Sequence, residues 1–201
     1  MATQPDLVSS DKNSLASDAS ASMEADIKAL HELQAAGDFS AAVAGAQRLL
    51  KAHPNNRDLL LIEAHALRML QQTEAALDAL DRFAEHHPNF SQMFLERGLC
   101  HIALRDAQAA IFNLKTAVRI NPALAMGWRM LDGLYRMTGD AKSAELAARH
   151  FAHLASLPPA IVQAKVLFGD GEIDVAETLI RKFLLDVGDH PEAMRLLTET
   201  A

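Results

Sequence analysis

The sequence predicts an all-α fold: an α-α superhelix (solenoid) of about five helix hairpins, closed by one further helix. Three observations predict it. Apolar residues recur at three- and four-residue spacings that gather side chains on one helix face, as Trp128, Leu131, Leu134 and Tyr135 do in the stretch 128–151. Pairs such as Gly139-Asp140 interrupt these stripes; the glycine can take the left-handed conformation that ends a helix, and the aspartate can cap the next one. The unit also recurs. Pro54, Pro88 and Pro122 stand 34 residues apart, and so do Ala42, Ala76, Ala110 and Ala144, with a further copy at Ala176 after 32.

Each recurrent position has a mechanical role. The alanine falls where the two helices of a hairpin cross most closely, and a larger side chain there would overpack at a cost of roughly 1–3 kcal/mol. The proline cannot continue a helix, so it sets where the next hairpin begins. The turn between helices reads Gly37-Asp38, Gln71-Gln72, Arg105-Asp106, Gly139-Asp140 and Gly171-Glu172. The closing apolar residue reads Leu49, Phe83, Ala117, Phe151 and Phe183. Hairpins this short cannot bury their outer faces alone, so neighbours are required.

A helix–turn–helix period of 34 residues, with Trp, Leu, small, Tyr, small, Phe, small and Pro in that order, resembles the tetratricopeptide repeat family. The resemblance runs from about Met23 to Ala201. It implies a repeat domain over 22–201, which leaves 1–21 as a disordered N-terminal arm read from its composition. The repeats fall at about 23–56, 57–90, 91–124, 125–156 and 157–190, with a terminal helix at 191–200.

Taken in order, residues 1–21 are rich in Ser, Ala and Asp and show no apolar periodicity, which predicts an arm that cannot repay the entropy of ordering. Repeat one carries Glu24 and Asp26 in its first turn, where the helix dipole favours acids. Repeat two keeps Leu60, Ala64, Leu67, Leu80 and Phe83 but places Gln71 at the turn. In repeat three, Gly98 lets a neighbouring helix approach closely. Repeat four has Asp132 where a small residue is expected, beside Gly133, and a local shift in packing is expected there. Repeat five opens on Pro158-Pro159, suited to a first helical turn. Residues 191–200 read as the first helix of a sixth hairpin whose second helix is not present. Either this helix caps the array or it leads into further chain; the second is the expectation, since Met194 and Leu197 would otherwise face water.

A narrower resemblance bears on that helix. The 45 residues from Leu157 to Ala201, with LPP, then AE-LIR-FL, then EAMRLL, look like repeats of bacterial proteins that carry a tetratricopeptide array ahead of a sulfotransferase domain. It implies a parent protein that transfers sulfate; these residues themselves contain no strand and no glycine-rich phosphate loop.

Composition narrows the function classes. Half of the 201 residues are hydrophobic but only 5% are aromatic, which suits close helix packing and argues against a β-sandwich. A net charge of −7 argues against nucleic-acid binding. No apolar run approaches the roughly 20 residues of a membrane span, and the first residues lack the apolar segment of a secretion signal. One cysteine, Cys100, reads as a buried structural thiol. A cytoplasmic location follows from these features.

The family resemblance places the first helix of each hairpin along a concave face. With Trp128 as the fourth repeat position, the fifth, ninth and twelfth positions point into the groove. The candidate partner-binding residues are therefore Ile27, His31, Leu61, His65, Arg68, Leu95, Leu99, Ile102, Arg129, Arg136 and Lys165. An apolar centre edged by arginines suits a peptide or protein partner with acidic groups. A homodimer, or contact with a C-terminal domain, are the competing uses of that face.

Catalytic and metal-binding motifs are not expected. His31 and His65 share a groove position and His150 lies three residues from His153, but no cysteine couple or further histidine pair accompanies them. There is no HExxH, GxSxG or Walker loop, and no cofactor is implied. Met69, Met126, Met130 and Met137 are read as core filler.

Overall fold

The structure, a computed structural model, describes residues 8–200, with side chains described over 21–199. Eleven α-helices and no strand occur among the described residues. They are α1 (Val8–Ala35), α2 (Phe39–Leu50), α3 (Arg57–Met69), α4 (Thr73–His86), α5 (Ser91–Ala103), α6 (Ala107–Ile120), α7 (Ala125–Thr138), α8 (Ala141–Ala155), α9 (Pro159–Gly169), α10 (Ile173–Val187) and α11 (Pro191–Thr200). The all-α array of five hairpins and a terminal helix is thus what the chain forms. Of the arm expected over 1–21, residues 1–7 lie outside the described residues, and over 8–20 only the helical backbone of α1 is described. The chain divides into two compact units, 1–82 and 83–201, with the division inside α4.

The turns explain how five hairpins arise from five different turn dipeptides. Gly37, Gln71, Arg105, Gly139 and Gly171 all take positive φ, between 57° and 86°. Every hairpin therefore closes through one left-handed residue, including the two where the side chain opposes it. Directly after it, Asp38, Asp106 and Asp140 each cap the following helix, accepting from the N–H of Ala41, Ala109 and Ser143 at 3.0 Å.

In the first unit, Ala42 and Ala46 of α2 are fully buried. Gly45 lies between them in sequence, and a Cβ there would stand 2.5 Å from Leu30 Cδ2 of α1. Gln34 Nε2 donates to the Ile62 carbonyl at 3.1 Å and so ties α1 to α3. Glu63, only 3% exposed, is held from both sides: Gln47 of α2 donates to one carboxylate oxygen at 2.9 Å and Arg82 of α4 to the other.

In the second unit, Ala110, Leu114, Ala117, Leu131, Leu134 and Ala147 form the core between α5 and α8. At Gly98 an added Cβ would meet Leu114 Cγ at 2.7 Å, so this glycine does admit a neighbouring helix. Asp132, at the matching place in α7, accepts from Arg136 Nε at 2.7 Å instead of packing. A second core of Ile161, Ala164, Ile180, Ala193 and Leu196 joins α9, α10 and α11. Ala193 and Leu196 seat the terminal helix there; Leu197 packs against the same core, while Met194 stays 47% exposed. The two cores are tied by Asn121, 1% exposed, which accepts from the Ala123 N–H and donates to the Val166 carbonyl at 2.8 Å. Its amide comes so close that a Cβ at residue 169 would meet it at 2.5 Å, which explains Gly169.

The left-handed turns give a test of sign. A side chain in that conformation costs about 1–2 kcal/mol, partly offset by the extra unfolded-state freedom of glycine. Gln71→Gly and Arg105→Gly should therefore each stabilise the chain by about 0.5–1 kcal/mol, and Gly139→Ala should destabilise it by about 1 kcal/mol. No atom lies within 4 Å of a Cβ added at Gly139, so the loss is a backbone effect. Urea denaturation midpoints of the three variants check the prediction.

Candidate functional site

Each candidate residue lies on the first helix of its hairpin, and the environments differ sharply. In the first unit, His31 is exposed on α1 and Ile27 half-buried one turn earlier. Leu61, His65 and Arg68 are half-buried along one face of α3. The His65 ring stacks on Phe39 with centroids 6.1 Å apart. Arg68 Nη1 lies 3.6 Å from the sulfur of Met69, which is itself 43% exposed.

In the second unit the expected apolar centre is largely part of the core. Leu95 is 7% exposed and belongs to the cluster with Leu114 and Val118, so it offers a partner almost no surface. That corrects its reading as a groove residue: α7 packs onto this cluster through Gly127, where an added Cβ would stand 2.7 Å from Val118 Cγ1, and Leu95 is covered with the rest of it. Leu99 and Ile102 pack partly against the same cluster. Lys165 is also committed: its ammonium donates to Glu192 of α11 at 3.0 Å, and only 16% of its side chain is exposed.

What remains open is the outer face of α7. Arg129 and Arg136 are exposed there, and they alternate with Met126 (46% exposed), half-buried Met130, Gly133 and Met137 (81% exposed). Three of the four methionines read as core filler are thus on the surface; only Met130 packs against the core. On α7, Met130 and Met137 stand four and three residues from Leu134, at the border of the core-facing stripe, so spacing alone does not show which of them is left open. Gly133 has no atom within 4 Å of an added Cβ, so the face is unobstructed at its middle. Asp132 orients the Arg136 guanidinium, and Arg129 makes no salt bridge among the described residues.

Another face of α7 holds Trp128, whose Nε1 donates to the Pro122 carbonyl at 2.8 Å and whose ring stacks on His150 at 4.1 Å. Tyr135, two turns on, has its phenol pushed up by burial and by the nearby Asp140 carboxylate. Asp140 itself is held below the ordinary aspartate range by its hydrogen bonds to Ser143, the capping contact. Glu192 is held down chiefly by the hydrogen bond from Lys165. These displacements record caps and packing contacts. Among the described residues no group of three or more His, Cys, Asp or Glu gathers to hold a metal. No single described helix is long and apolar enough to cross a membrane.

The family model for the tetratricopeptide repeat matches residues 27–83 and 63–125. Comparison with curated proteins gives no match. Among solved structures, a thermophilic tetratricopeptide repeat protein of Thermus thermophilus superposes with a TM-score of 0.60 at 20% identity, covering 88% of this chain and 97% of that one. The MamA protein gives 0.56 at 21% identity, covering 80% and 89%. A structure of Naa15/Naa10 bound to HypK gives 0.58 at 15% identity, covering 84% of this chain and 26% of that one. At these identities the likeness is one of fold.

The Lys165–Glu192 contact yields a pH prediction. The folded glutamate titrates lower than the unfolded one. Its stabilisation is therefore complete above the ordinary glutamate range and disappears as pH falls through the depressed folded value. Glu192→Gln should lower stability at neutral pH by up to about 1 kcal/mol, since both groups are partly exposed. The gap to wild type should close in acid, as thermal melts across the carboxylate range would record.

Proposed function

Starting from a chain that carries tetratricopeptide repeats across residues 27–125, we propose that it is a protein–protein interaction scaffold, binding a peptide or protein on the face of its first helices and catalysing nothing itself. The observation that carries this reading is the open stripe of α7, where Arg129 and Arg136 alternate with Met126 and Met137 around Gly133. Methionine is flexible and polarisable, so it adapts to varied apolar side chains. Arginine adds planar, directional hydrogen bonds to carboxylates. The pairing selects a partner that presents apolar and acidic groups together. On the first unit, Ile27, His31, Leu61, His65 and Arg68 repeat the theme with less apolar exposure. A chain in a structure of Naa15/Naa10 bound to HypK shares this fold, which agrees with a role in holding other proteins.

The alternative, that the array positions an acceptor polypeptide for a sulfotransferase-like domain of a longer protein or pairs two copies of it, draws support from the repeat wording of residues 157–201. A phosphate-binding loop encoded after Ala201 would favour it.

Arg129→Glu combined with Arg136→Glu should reduce capture of partners from the native cell by about tenfold or more, equivalent to about 1.4 kcal/mol or more of binding. Helical content measured by circular dichroism should be unchanged, because both side chains are exposed. Undiminished capture by the double variant would refute the assignment of this face. Leu95→Asp is not a surface test, since it would bury a carboxylate in the core.

A further inference from the structure

Between α6 and α8, on the side of α7 that carries Trp128 and Tyr135, lies a groove of about 650 Å³. Its floor is apolar, and two large side chains stand exposed at its edges, Phe112 (68%) and Leu146 (51%). The charged groups lining it are Lys115 and Arg119, both on α6, and no carboxylate is among the lining residues. In a chain of net charge −7 that is a local inversion of sign. Asp140 lies close enough for its carboxylate to act on Tyr135, and it is hydrogen-bonded to Ser143 as a helix cap.

We propose that this groove is a second docking site, separate from the Arg129–Arg136 face, for an acidic amphipathic peptide helix. Three features define the occupant. The volume suits a few inserted side chains, which fits apolar anchors from one face of a helix better than a folded surface. The exposed Phe112 and Leu146 supply apolar walls on α6 and α8 into which such anchors can interdigitate. Lys115 and Arg119 stand one turn apart on one wall, so acidic residues flanking the anchors on one side of the ligand helix would meet them. The site is distinct from the proposed partner face, because none of the residues lining the groove belongs to that face.

The chain reports on its own groove: Trp128 lines it and is the only tryptophan. The probe is a synthetic helical peptide with leucines at i, i+3, i+4 and i+7 flanked by glutamates, titrated into the full chain while Trp128 emission is followed. A second peptide carries lysines in place of the glutamates. The glutamate peptide should shift the emission saturably, and the lysine peptide should bind at least about tenfold more weakly. Raising the salt concentration should weaken the former. Phe112→Ser should weaken it at least about tenfold, and Lys115→Glu with Arg119→Glu should reverse the preference between the peptides. Arg129→Glu with Arg136→Glu should leave the titration unchanged, so failure here and failure of the partner face are read separately. The proposal is overturned by an absent or non-saturable response, by equal response to both peptides, or by indifference to Phe112→Ser. Light scattering that showed a dimer dispersed by Phe112→Ser would also overturn it, assigning the groove to a second copy. Phe112 and the two cations are exposed, so these variants should retain the wild-type far-ultraviolet spectrum.

Discussion

Close approach of paired helices at small side chains is the constraint on which the remaining structure rests. Ala42, Ala76, Ala110, Ala144 and Ala176 are all 0–2% exposed, one in each hairpin. An alanine brings little transfer energy of its own. Its value is that it lets larger neighbours, such as Leu114 and Leu131, reach across to the facing helix. Where the approach is closer still the chain uses glycine, at Gly45 against Leu30 and Gly98 against Leu114. With 5% aromatic residues, the core is filled by many small contacts and few large anchors.

The turns follow from the same constraint. Two helices can lie flat against each other only if the chain reverses within a few residues, and a single left-handed residue followed by a cap achieves this. That Gln71 and Arg105 occupy this conformation shows tertiary packing prevailing over local preference. The cost is a modest fraction of what the packed hairpin gains, so the position tolerates residues that would not choose it. Asn121 shows the same hierarchy in a different place. Its buried amide satisfies backbone groups at the junction of the two cores, where a proline-containing connection leaves them without helical partners.

Packing also decides which surfaces are left for binding. Helix α7 contributes Leu131 and Leu134 to the core, Trp128 and Tyr135 to a groove beside α6 and α8, and Arg129, Arg136, Met126 and Met137 to an exposed face. One helix thus serves three environments because the helical repeat of about 3.6 residues per turn divides its side chains among three directions. A repeat protein can bind on more than one face for this reason. Only one of its helix faces must be apolar for the array to hold together.

The sequence by itself determined the hairpins, their period, their turn positions, the capping aspartates and the crossing alanines. All of these depend on residues within one repeat, whose spacing is visible along the chain. The residues open to a partner were less legible. Arg129 and Arg136 are exposed, whereas Leu95 is buried, Lys165 is paired with Glu192, and Met126 and Met137 are open. The groove edged by Phe112 and Leu146 gave no periodic signal, because its walls come from two hairpins. Only the tertiary structure decided these, since a side chain's exposure depends on the size of what the neighbouring repeat places against it, and that information lies a whole repeat away in the chain.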